Sequence, residues 1–407
     1  MNNFDLIQET LLEIDPIIKE NKKVAYFNFK KVMSAFREHS VMESDFYGTT
    51  GYGYDDTGRD KLEDIYRDVF KAEDAIVRSQ IISGTHAISL SLLSLLNKGD
   101  ELLYITGTPY DTLEKVIGNS VDDVGSMMES GIKFNTVDLK ENTFDTEKIL
   151  ESIKPNTKII GIQRSRGYSE RKSVTISEIA AIIKEIKDKY KDIIIFVDNC
   201  YGEFVETREP VEVGADVVAG SLIKNPGGGL AKMGGYIVGR EDLIKRISYR
   251  LTVPGIGKEM GATLTGLNEM YQGFFMAPHA VIESLNGAVL MSKTLEKIGF
   301  TTNPSFDAKR TDIIQSVYFN NPEEMITFIQ MVQSASPVNS RFLPIPDQIP
   351  GYENEVIMAA GTFVQGASLE LSADGPIKPP FIAFVQGGLT IEHVTYALEY
   401  ILDGLNK

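Results

Sequence analysis

Cysteine is nearly absent. Cys200 is the only one in 407 residues, so no disulfide can form within the chain. A lone thiol fits a reducing compartment, and a cytoplasmic location is expected. Histidine is scarce too: His39, His86, His279 and His393 lie far apart, without the spacing of a zinc site, and no metal is expected. Positive charge is in deficit, with 41 lysines and arginines against 57 acidic residues and a net charge of −16. That balance argues against non-specific binding to nucleic acid or to an anionic membrane surface. It leaves room for a small basic pocket. No run of 18 consecutive apolar residues occurs, so no membrane-spanning helix is expected. The opening stretch "MNNFDLIQETLLEIDPIIKE" is acidic and amphipathic, unlike the basic start and apolar core of a signal peptide. There is no internal repeat and no low-complexity linker.

What is present is the composition of a globular chain, 43% hydrophobic and 24% charged. A core of this size needs neither disulfide nor structural metal. Residues 1–50 read as a helical arm. From about residue 58 to 250 helical and strand-like patterns alternate. "TGRDKLEDIYRDVF" carries a helical stripe at Leu62, Ile65, Tyr66, Val69 and Phe70, with Thr57 and Asp60 as a capping pair. "GTHAISLSLLSLLNKGD" reads as a buried helix closed by Gly99. "ELLYIT", "KIIGIQ", "IIIFVD", "DVVAGSL" and "GGYIVG" read as strands. Several lack alternation, as strands covered on both faces do. Between two of them "TISEIAAIIKEIKDKY" is a helix with a Thr175/Glu178 capping box. The alternation predicts a large α/β domain over 51–280 with helices on both faces of a mostly parallel sheet. Beyond it, helical stretches around "MAAGTFVQGASLELS" and "PPFIAFVQG", read as strands, predict a smaller α+β domain over 281–407.

Two phosphate motifs fail. "GYGYDDTG" lacks the dinucleotide spacing and follows no strand, and "NPGGGLAK" lacks the ending of a nucleotide P-loop, so Lys224 and Lys232 are poor nucleotide lysines. "SGTHA" is a better candidate. A small turn containing Gly84 and Thr85 opens a helix, and helix-start N–H groups suit a phosphate. Taken alone, it reads first as an ordinary helix start.

Asp198 ends the apolar strand "IIIFVD", where a carboxylate is costly without a charged partner. Lys224 follows "DVVAGSLI", 26 residues later and one connection away. A strand-end carboxylate and a later strand-end lysine fit a pyridoxal phosphate site. The lysine forms the Schiff base, and the carboxylate keeps the pyridinium nitrogen protonated so that the ring accepts electrons. Ser221, just before the lysine, is placed to bond the phosphate.

With "GYGYDDTGRDKLE", "SGTHA", "GTPYDTL", "VDNCYGEF" and "SLIKNPGGG" together, over residues 51–229, the chain resembles fold-type I pyridoxal phosphate enzymes of the cysteine and methionine metabolism group. More closely, it resembles the bacterial aluminium-resistance or methionine gamma-lyase-like proteins. The resemblance implies the PLP-dependent transferase-like α/β fold (fold type I). It implies that Tyr110 stacks on the cofactor ring, and that Tyr54 and Arg59 reach the phosphate of a neighbouring subunit. A homodimer or homotetramer with shared sites follows from that. Relatives usually hold the substrate carboxylate with an arginine of the small domain, but this chain has none after Arg341. Arg166 and Lys378 are the candidates to replace it. Cys200 is read as a small residue behind the cofactor.

The implied activity is a carbon–sulfur lyase on a sulfur amino acid, of the methionine gamma-lyase or cystathionine beta-lyase kind. Lys224 would take the Cα proton, and Tyr110 would assist proton transfer. The rival readings are a pyridoxal phosphate aminotransferase or aldolase, and a non-catalytic stress protein that keeps the pocket.

Overall fold

The computed structural model of the protein describes residues 2–120, 122–264, 266–348 and 354–405. Its larger sheet is built from β1 (Asp74–Arg78), β2 (Glu101–Tyr104), β3 (Lys133–Thr136), β4 (Thr157–Gln163), β5 (Ile194–Asp198), β6 (Val217–Ser221) and β7 (Gly235–Gly239). The strand order is β1-β7-β6-β5-β4-β2-β3. Only β7 runs antiparallel to its neighbours, β1 and β6. The smaller sheet holds β8 (Thr301–Asn303), β9 (Gln315–Phe319), β10 (Val356–Ala359), β11 (Ser372–Pro376) and β12 (Phe381–Gln386) in the order β10-β11-β12-β9-β8. All of its pairings are antiparallel.

The unalternating apolar strands have a direct cause. Ile160, Ile162, Ile195, Val197 and Val218 enter the core on one face of the large sheet. Ile159, Ile194, Phe196, Val217 and Ala219 enter the core on the other. Both pleat faces are covered, so both sets must be apolar.

The helices are α1 (Asn3–Glu38), α2 (Thr57–Phe70), α3 (Gly84–Leu95), α4 (Asp111–Ile117), α5 (Thr146–Ser152), α6 (Ile176–Lys189), α7 (Glu241–Leu251), α8 (Leu267–Lys297), α9 (Pro322–Ser334) and α10 (Ile391–Gly404). The capping box of α6 forms between Thr175 and Glu178. For α2 the capping expectation is corrected. Asp56 is the cap and accepts the Arg59 N–H at 3.0 Å, while Thr57 is already helical. Asp56 also accepts from Thr49 and Thr263, each at 2.5 Å, which ties the preceding loop to the helix start.

Residue 280 falls in the middle of α8, a continuous helix of 31 residues. Phe274, Ala277, Val281 and Leu285 of this helix belong to the large-domain core, and Val289, Leu290, Met291 and Leu295 to the small-domain core. α1 does the same: Ile7 and Ile14 pack in the small domain, Val32 and Ala35 in the large one. It is an arm laid along α8, with Asn21 Nδ2 donating to Asn286 Oδ1 at 2.9 Å. Among the described residues α8 is the one helix long and apolar enough to cross a membrane by composition, yet 78% of its most apolar stretch is buried inside the protein. That is the pattern of a core helix. The stretch "MAAGTFVQGASLELS" is strand only at its two ends, in β10 and at the start of β11.

Candidate active site

The carboxyl ends of the parallel strands open into a cavity of about 230 Å³ between the two sheets. Asp198 at the end of β5 and Lys224, three residues beyond β6, both line it. This is where an open α/β sheet leaves a crevice, because the loops leave the strand ends in different directions. Asp198 is 3% exposed, and its Oδ1 accepts the Cys200 N–H at 3.1 Å. Burial pushes its carboxyl above the usual range, and the Lys224 ammonium pulls against that. Burial opposes the charge on Lys224, but the Asp198 carboxylate nearby favours it, and the ammonium is held above its ordinary value.

The Lys224 Nζ stands 4.1 Å from the centre of the Tyr201 ring, a cation–π distance. Tyr201 reaches that position with φ at +70°, a conformation that costs an aromatic residue about 1 kcal/mol or more. The thiol of Cys200 is raised well above its ordinary value by burial and by Asp198, so it stays protonated and is no nucleophile.

Ser83 starts α3 by accepting the His86 N–H at 3.1 Å, which leaves the N–H groups of Gly84 and Thr85 without intrahelical acceptors. Ser221, at the end of β6, packs against this turn. A Cβ on Gly84 would lie 3.1 Å from the Ser221 Cβ and 3.3 Å from the Cys200 Sγ, so the turn is close-fitting. The Thr85 hydroxyl is 2.9 Å from the Tyr110 hydroxyl. Tyr110 precedes α4, and its backbone N–H donates to Gln163 Oε1 at 3.0 Å. Burial and then Asp198 raise the Tyr110 hydroxyl far above its ordinary value, so it remains a proton donor.

Thus Lys224, Asp198, Tyr110, Thr85, Gly84 and Ser221 stand together, but Tyr54 and Arg59 do not join them. Tyr54 is 51% exposed, beside Tyr52 on the glycine-rich loop. Within the chain the Arg59 side chain is 1% exposed, and Nη1 donates to the carbonyls of Gly53 at 2.7 Å and Gly261 at 2.9 Å. The Nε donates to Asp60 at 2.9 Å. The guanidinium thus holds its own glycine-rich loop.

Arg166 and Lys378 line a second cavity of about 270 Å³, which shares Tyr110, Asp111, Gln163 and Tyr168 with the first. Lys378 is exposed. Arg166 is buried and donates to Asn303 and Ser316, but its Nε has no partner among the described residues.

Sequence reading passed over four lining residues. Gln163 ends β4 as Asp198 ends β5, and the two are register partners. Its place at a strand end was the available signal. Tyr201 lies within "VDNCYGEF" but has no signature of its own. Tyr168 and Asp374 come from a loop and from the small domain. Asp374 is buried, and its carboxyl is pushed up by burial to about 7.

The family model described as Methionine gamma-lyase matches residues 3–406. The chain is 55% identical, over 98% of its length and 97% of the relative's, to the uncharacterised protein YnbB of Bacillus subtilis. A solved structure from Listeria monocytogenes, described as a candidate cystathionine beta-lyase involved in aluminium resistance, superposes with a TM-score of 0.96 at 53% identity. That match covers 98% of this chain and 99% of the other. The pyridoxal-5'-phosphate-dependent protein YhfS of Escherichia coli shares the fold at 18% identity and a TM-score of 0.62, over 95% of this chain and 97% of its own. Two sheets, a strand-end lysine and a match over nearly every residue agree: the chain belongs to the Methionine gamma-lyase family and has the fold-type I architecture.

Proposed function

We propose that the protein is a carbon–sulfur lyase that holds pyridoxal 5'-phosphate on Lys224 and acts on a sulfur amino acid. One observation carries the reading: Lys224 and Asp198, from adjacent strands, share a single cavity with the start of α3. The residues fit the group. Lys224 offers a primary amine for the aldehyde, Asp198 a carboxylate for the ring nitrogen, and the tight Gly84 turn with Thr85 and Ser221 a cradle for phosphate. The family match and the Listeria relative support the same activity class.

When bound, pyridoxal phosphate supplies a sink for the electrons left at the substrate Cα. Asp198 would hold the ring nitrogen protonated. Lys224 Nζ would accept the Cα proton. Tyr110, kept as O–H, would donate to the departing sulfur. With one water the balance is a thiol, ammonia and a 2-oxo acid.

This reading includes a second copy of the chain. Among the described residues the phosphate cradle contains no arginine, while Tyr52, Tyr54 and Leu264 leave an apolar, hydroxyl-bearing surface exposed. A dimer, or a tetramer of such dimers, brings Tyr54 to the neighbouring cradle and covers that surface.

The test is reconstitution with pyridoxal phosphate, borohydride reduction and peptide mapping, followed by assay of thiol and 2-oxo acid from sulfur amino acids. Label on Lys224 and release of both products are expected. Label on Lys232, or none, defeats the reading. An aminotransferase would leave the cofactor in its amine form and release no thiol. Mixing inactive Lys224→Ala and Tyr54→Ala chains should restore activity, and a fully active monomer would end the shared site.

A further inference from the structure

The small domain presents an anion where a substrate has to fit. Asp374 lies on β11 opposite Phe384 of β12, and both line the cavity that holds Lys224. The other small-domain lining residues are Ile314, Ala367 and Gln386. None of these is a cation. Asp374 is 6% exposed, and its Oδ1 has no hydrogen-bond partner among the described residues. Its support is a hydrogen bond from Tyr168, whose ring packs 5.1 Å from that of Phe384.

A buried carboxylate without a counter-charge is costly, and a buried oxygen without a partner calls for a donor. Lys224 does not fill that role. It sits over Tyr201 beside Asp198, and no ion pair joins it to Asp374 among the described residues. Burial pushes the Asp374 carboxyl up to about 7, and a cation beside it would favour its charged form. A substrate carboxylate is repelled from this wall. Arg166 lines the adjoining cavity.

We propose that Asp374, positioned by Tyr168, is a specificity residue that selects substrates whose far end carries a cationic N–H donor such as an ammonium or an amidinium. The proposal rests on the reading of Lys224 as the cofactor lysine. Applied to a sulfur amino acid, it names a thioether with an ammonium on the arm beyond sulfur, in preference to one ending in a methyl group.

The test uses the reconstituted holoprotein and three cysteine thioethers of similar length: S-(2-aminoethyl)-L-cysteine, S-propyl-L-cysteine and S-(2-carboxyethyl)-L-cysteine. Dissociation constants are read from the change in the visible band. The aminoethyl compound should bind at least about tenfold tighter than the propyl compound, the margin of one hydrogen-bonded charge, and the carboxyethyl compound weakest of all. Asp374→Asn should erase that ranking through loss of the aminoethyl compound alone, and Tyr168→Phe should narrow it.

The ranking is read on the unaltered protein, so it decides even if a substitution unfolds the chain. Equal affinities for the three compounds overturn the proposal. So does an equal loss for all three in Asp374→Asn, which would mean that the carboxyl receives the α-ammonium they share. A protein that forms no reducible bond at Lys224 fails earlier and separately, before any thioether is added. That outcome removes both readings.

Discussion

On the large-domain wall of the cavity each charge has its answer nearby. Asp198 faces Lys224, Lys224 lies over Tyr201, and Ser221 packs against the Gly84 turn that opens α3. On the small-domain wall Asp374 is held by Tyr168, and its Oδ1 has no hydrogen-bond partner among the described residues. The first wall is electrically closed before any ligand arrives, and the second is not. A closed wall can hold a fixed reactive group in one state. An open wall discriminates, because its energy depends on what enters. Chemistry and selectivity are thus divided between two sheets that fold by different rules.

Removing the lysine should break the large-domain wall most severely. Lys224→Ala should lower turnover by at least about 10³-fold, since it deletes both the anchor and the base, and mass spectrometry after borohydride should find no label. Asp198→Asn should keep the cofactor but slow turnover by about 10²-fold, measured at saturating substrate on a proven substrate. Unchanged turnover in that variant would erase the distinction between the walls.

Gly84→Ala sharpens it. The added methyl crowds Ser221 and Cys200, so the cofactor dissociation constant should rise about tenfold. Thermal stability without cofactor should not fall in proportion, because alanine favours a helix start no less than glycine.

The open wall is read through pH, as a slope in stability and not as a loss of function. Asp374 is held near 7 by burial against about 4 in an unfolded chain. The folded protein therefore keeps a proton that the unfolded one has released. Stability should fall as pH rises from about 4 through about 7, by at most about 1.4 kcal/mol per pH unit. Asp374→Asn should flatten that slope in denaturant titrations of the cofactor-free protein. Glu203, pushed up by burial to about 8, adds a slope of the same sign that extends higher, and this should survive in the variant.

The two walls were also unequally legible in the sequence. Parallel strands buried on both faces write continuous apolar runs, so "IIIFVD" and "DVVAGSLI" reveal both their strands and the polar residues at their ends. That made Asp198 and Lys224 visible. Tertiary structure decided the rest. Arg59 looks like a free charge in the first turn of α2, but its partners include Gly261, which is remote in the chain. Asp56 outcompetes Thr57 as the cap because it also satisfies Thr49 and Thr263. β3, "KFNT", is an edge strand of mixed polarity with little apolar signal. Asp374 sits in "SADGP", which reads as a turn. Only the register with β12 shows it to be strand and turns it toward the cavity.

α8 joins the two walls mechanically. It passes through both cores without a break, and α1 lies along it as a splint. Any swing of the small sheet over the cavity must therefore bend a helix instead of opening a loop. Pro278 lies within the part of α8 packed in the large-domain core, so that bend has to fall further along, between Leu285 and Val289, where the helix passes from one core to the other.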